Sequence, residues 1–79
     1  MGFFTSKKVF RTSQQIKEAL FKIESLDYQQ RARVFEALVN ELDDGGVTKE
    51  EVRLAILELR RNREISEVDQ KNLLQLVKD

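Results

Sequence analysis

The chain of 79 residues contains no cysteine, no histidine, no proline and no tryptophan, and only three glycines. Each absence excludes something. Without cysteine or histidine there is no disulfide, no thiolate or imidazole metal ligand, and no nucleophilic or acid–base scheme that depends on either side chain. The missing cysteine is compatible with a reducing compartment, and the location expected from the sequence is cytoplasmic. No apolar run approaches the ~20 residues that span a bilayer. The opening MGFFTSKKVF lacks the basic stretch and apolar core of a secretory signal. Net charge is absent too, with fourteen basic and fourteen acidic side chains, so no global field favours nucleic acid or an acidic membrane. The charge is nonetheless uneven. Residues 1–40 carry seven basic and four acidic groups and residues 41–79 carry seven and ten, a polarity that suits head-to-tail association.

With proline absent and glycine confined to positions 2, 45 and 46, nothing forbids helix over 12–44 or 48–78. Four starts are written in capping chemistry. Thr12 with Gln15, Asp27 with Gln30, Thr48 with Glu51 and Ser66 with Asp69 each pair a cap with an acceptor three residues on. Apolar stripes follow each start at helical spacing: Ile16, Ala19, Leu20 and Ile23; then Tyr28, Ala32, Phe35, Leu38, Val39 and Leu42. The third helix has Val52, Ala55, Ile56 and Leu59 on one face and Leu54 and Leu57 on the other. A helix apolar on two sides is expected to be covered from two directions. Leu73, Leu74, Leu76 and Val77 supply the fourth face. The expected fold is an all-α bundle of about four helices with the third central, one domain over 12–79, preceded by an extended N-terminal arm at 1–11.

That arm carries Phe3, Phe4, Val9 and Phe10 around TSKK without helical period. It is expected to fold back over the bundle near Phe21, with Phe10 completing the core. The competing reading makes an exposed aromatic patch of it. Phe3, Phe4 and Phe10 are therefore candidate partner contacts, together with Leu54 and Leu57. The lone Tyr28 lies on an apolar stripe and is expected in the core.

The stretch NELDDGGVTKEE, residues 40–51, offers oxygen-bearing side chains, glycines at a bend and a glutamate in twelfth place. With Asn40 as first position it resembles the second half of an EF-hand calcium loop, which implies a divalent cation held by Asn40, Asp44, Thr48 and Glu51. It departs from that loop at Leu42, which has no oxygen, and at Asn40, where aspartate is usual. The alternation of helices with DGGVTKEE and with ISEVD also resembles the helical repeats of TerB-like domains, some of which bind metal through acidic loop residues. Helix grammar explains the same residues without an ion: Gly45 or Gly46 ends the second helix in a left-handed conformation, and Thr48 with Glu51 caps the third.

Arg60, Arg61 and Arg63, with Arg53 before them, could touch phosphates, but Glu50, Glu58 and Glu64 are interleaved, as on a solvated face. Adjacent carboxylates such as Asp43–Asp44 point apart, and no phosphate-cradling glycine loop is present. The function expected is a non-enzymatic helical interaction or regulatory module without a cofactor, binding a protein partner or itself. The alternatives are a divalent-metal helix–loop–helix and a nucleic-acid contact through Arg60–Arg63.

Overall fold

Each capping signal is followed by a helix in the structure, a computed structural model that describes residues 8–42 and 45–78. The helices are α1 (Ser13–Phe21), α2 (Tyr28–Asn40), α3 (Lys49–Arg61) and α4 (Glu67–Leu74), the last continued by a 3₁₀ turn at Gln75–Val77. The Asp27–Gln30, Thr48–Glu51 and Ser66–Asp69 boxes close reciprocally. At α1 the Thr12 hydroxyl accepts from the Gln15 backbone N–H, but the Gln15 carboxamide oxygen accepts from the N–H of Arg11 at 2.6 Å. That box therefore reaches one residue further back than the spacing implies.

The described end of the arm is a strand. β1 (Lys8–Phe10) pairs antiparallel with β2 (Val47–Thr48), Lys8 opposite Thr48 and Phe10 opposite Val47. Phe10 and Val47 are buried, so Phe10 completes the core as expected. Residues 1–7, with Phe3 and Phe4, lie outside the described residues, as do 43, 44 and 79. Gly46 makes the ladder possible. Its φ is +92°, and a Cβ there would stand 2.6 Å from the Phe10 carbonyl oxygen. Neither glycine ends α2. That helix stops at Asn40 and tightens through Glu41 N–H to Leu38 O (3.0 Å) and Leu42 N–H to Val39 O (2.9 Å).

The elements form two similar units, β1-α1-α2 and β2-α3-α4, and the sequence repeats with them. Thr12, Ile16, Ala19 and Leu20 recur in order as Thr48, Val52, Ala55 and Ile56. Leu26, Asp27, Gln30, Val34 and Leu38 recur as Ile65, Ser66, Asp69, Leu73 and Val77. Every apolar residue in these pairs except the half-buried Ala19 and Ala55 is buried, and Ile23 and Leu59 make a further buried pair. The cross-links are reciprocal as well. Asn72 on α4 donates to the Ser25 hydroxyl in the α1–α2 loop (3.0 Å), and Arg33 on α2 pairs with Glu64 in the α3–α4 loop. Ser25 and Glu64 occupy equivalent places in the repeat, and so do Arg33 and Asn72. Such exchange, with the strands that lead into the two helix pairs meeting antiparallel, is the mark of an approximate internal twofold. The two halves of the core are thus one hairpin used twice.

Two expectations change. α3 packs on α2 and α4 through Val52, Ile56 and Leu59, but Leu54 is 66% and Leu57 47% exposed, so α3 is not enclosed from two directions. Tyr28 is 84% exposed rather than buried. At 100° per residue it lies about 120° around α2 from Val34, and Val34, absent from the stripe read in the sequence, is fully buried.

Candidate functional site

Between α1 and α2 runs a groove of about 360 Å³ whose wall is almost wholly carbon. Helical spacing builds it. Lys17 and Phe21 stand one turn apart on α1, and Tyr28, Ala32 and Phe35 form a row along α2. Buried Leu20 lies beneath, while Phe21 remains 76% exposed. Two rows of aromatic and aliphatic surface thus face each other with no side chain from elsewhere in the described chain filling the space between them. Two cations, Lys17 and Arg31, and no carboxylate line the groove.

Arg31 holds the walls in register. Its guanidinium donates to the carbonyl of Leu20 (3.1 Å) and to those of Ile23 and Leu26 (2.9 Å each). These carbonyls belong to the end of α1 and the turn that follows, which offers no glycine or proline to shape it. One planar fork therefore binds a carbonyl of the helix end and two of the turn, adding to the backbone bonds that Leu20 O and Ile23 O accept from the N–H groups of Ile23 (3.1 Å) and Leu26 (3.3 Å). Nothing in the local sequence pattern announces this role, because the partners are backbone atoms brought together only by the turn.

The twofold places a second groove between α3 and the end of α4, where Arg53, Leu57 and Leu74 replace Lys17, Phe21 and Phe35. It is aliphatic, and its floor is taken by the 3₁₀ turn, with Arg53 donating to the Val77 carbonyl at 3.3 Å. The first unit alone carries the aromatic version.

A third surface lies between α2 and α3, where exposed Leu54 and Leu57 sit among Glu41, Glu51, Glu58 and Glu64. Arg33 and Arg61 share it. Arg33 is paired with Glu64, and Glu51 accepts from Thr48 N–H (2.9 Å). The surface is acidic overall, in contrast to the α1–α2 groove.

The positions singled out in the sequence separate accordingly. Leu54 and Leu57 are exposed, and Phe10 is buried and has no surface to offer a partner. Of the proposed cation ligands, Thr48 and Glu51 bond to each other's backbone N–H (3.1 and 2.9 Å), Asn40 is exposed at the end of α2, and Asp44 lies outside the described residues. Gly46 rather than Gly45 takes the positive φ. Among the described residues no group of three or more acidic side chains could hold a metal ion. Arg61 lies against the acidic α2–α3 surface, and Arg63, at φ +61°, forms the end of α3. The sequence reading missed Arg31 and placed Tyr28 inside. Phe21, off the α1 stripe, was the legible signal for the groove.

Fold and surface together define a small two-unit helical domain whose most apolar accessible feature is a groove between helices. No helix among the described residues is long and apolar enough to cross a membrane. Comparison with protein-family models, with curated proteins and with solved structures finds no match.

Proposed function

We propose that this protein is a non-enzymatic helical module that acts by binding another polypeptide in the α1–α2 groove. The observation that carries the reading is the placement of Phe21 and Tyr28, 76% and 84% exposed, over a carbon-lined groove whose shape is held by Arg31. Aromatic side chains are enriched where proteins bind and supply most of the energy when a partner covers them. Left in water, they contribute nothing to the fold and favour aggregation. A photo-activatable phenylalanine analogue at position 21 tests the reading in extract of the cells that make the protein. Discrete adducts of one or a few masses are expected from position 21 and not from the exposed control position Lys71. Equal, diffuse labelling at both positions would remove the groove as a binding site.

A further inference from the structure

We infer that the partner of the aromatic groove is a second copy of this chain, which presents the acidic Leu54–Glu58 face of its α3. The inference rests on the binding-module reading and names its occupant. Both halves of the contact are on the molecule. The groove is edged by Lys17 and Arg31 with no carboxylate, whereas the α2–α3 surface surrounds exposed Leu54 and Leu57 with Glu41, Glu51, Glu58 and Glu64, which outnumber its two cations, Arg33 and Arg61. An apolar knob flanked by carboxylates meets an apolar groove flanked by cations, which favours this encounter over groove with groove or knob with knob. The chain's own first residues suit the groove less well, because Lys7 accompanies Phe3 and Phe4 toward two cations already present.

The two surfaces share no residue: the groove lies between α1 and α2, the acidic surface between α2 and α3. Each copy can use both at once. Unlike patches joined head to tail make rings when the rotation closes and filaments when it does not. The association therefore continues past the dimer, and the excess of basic groups in residues 1–40 over acidic groups, reversed in residues 41–79, gives it polarity.

Sedimentation velocity over a wide concentration range tests this on the full chain. The weight-average mass is expected to rise past that of a dimer and to fall in high salt. Phe21→Ser and Leu54→Ser alter exposed side chains and leave the core intact; each is expected to weaken association roughly tenfold or more. Mixed together, the two variants are expected to form a one-to-one dimer and stop, since each retains one intact face. Lys17→Glu is expected to abolish growth, and adding Glu58→Lys in the same chain to restore it. A wild type that stays monomeric, or that stops at a symmetric dimer, overturns the inference, as does a mixture that fails to pair. If the wild type is monomeric while position 21 cross-links a polypeptide of another size, the self-association falls and the binding module stands. If neither occurs, both fall.

Discussion

Gly46 and Arg31 show how much of this fold depends on single side chains, or on the lack of one. Gly46 allows β1 to approach because it has a positive φ and no Cβ to strike the Phe10 carbonyl oxygen at 2.6 Å. Gly46→Ala is expected to cost at least about 2 kcal/mol, from the left-handed penalty and the displaced strand. In a domain of this size that is a fall of roughly 8–16 °C in thermal midpoint, and calorimetry giving an unchanged midpoint would contradict the geometry. Arg31 is the opposite case, a charged side chain working as a turn. Removing it takes a donor from all three carbonyls: Leu20 O and Ile23 O keep the N–H groups of Ile23 and Leu26, and Leu26 O loses the Arg31 bond with no backbone bond beside it. Arg31→Ala is expected to lose about 2–4 kcal/mol in denaturant unfolding, and Arg31→Lys to recover only part, because one ammonium cannot reproduce the planar fork.

At the scale of the elements, the two hairpins solve the same problem by different chemistry. The end of α1 tightens through Lys22 N–H on Ala19 O (3.3 Å) and Ile23 N–H on Leu20 O (3.1 Å) and is then braced by the Arg31 guanidinium. The end of α3 is closed by its own backbone, with Glu64 N–H on Leu59 O (2.9 Å), Arg63 N–H on Arg60 O (3.0 Å) and Arg63 in the left-handed region at φ +61°. That is a Schellman motif with arginine where glycine is usual. Arg63→Gly relieves the strain at some cost in unfolded-chain entropy, and a net gain of about 1 kcal/mol is expected. A lower midpoint for Arg63→Gly would mean that the arginine makes a contact worth more than its strain. The 40–51 segment also belongs to this scale. Thr48 and Glu51 are spent on capping α3, so millimolar calcium is expected to leave the Gly45 and Gly46 amide resonances and the thermal midpoint unmoved. Saturable shifts of those amides, absent with chelator, would establish a cation site instead.

For the molecule as a whole, the question is what holds the two repeats together. The core pairs, the β1–β2 ladder and the Asn72–Ser25 and Arg33–Glu64 cross-links join them, and one buried carboxylate sits close to that seam. Asp69 is 1% exposed. Burial pushes its carboxyl pKa up, but hydrogen bonds from the Ser66 backbone, the Ser25 hydroxyl and the Ser66 hydroxyl outweigh it and leave the group below its ordinary value of 3.8. Its Oδ2 accepts from the Ser66 N–H at 3.0 Å, while Oδ1 is buried without a hydrogen-bond partner, so the carboxylate acts first as the cap of α4. A folded pKa below the unfolded one means that Asp69 contributes stability above about pH 4, lost as the pH falls through the folded value. Wild type is therefore expected to lose more stability than Asp69→Asn between pH 5 and about pH 3. Parallel profiles in urea titrations across that range would show that the ionised carboxylate does not stabilise the fold.

Local chemistry, which acts over three or four residues, was enough to determine the helix starts. Thr12, Asp27, Thr48 and Ser66 each mark a real cap, and the buried faces of α1 and α3 follow from spacing alone. The repeat was written there as well, in the recurrence of Thr-x-x-Gln/Glu before matched apolar residues, although α3 is longer than α1 and this obscures its period. Only the tertiary structure decided which apolar side chains stay outside. Tyr28 lies on the apolar stripe read along α2 and still stays outside, and Phe21 and Leu54 lie off their stripes, where spacing does not say whether another element covers them. Their exposure depends on where the other helices stop, and a one-dimensional pattern contains no information about the element that fails to cover it. The turn held by Arg31 and the ladder admitted by Gly46 belong to the same category, because each joins atoms that only the completed fold brings within a hydrogen bond or a van der Waals radius.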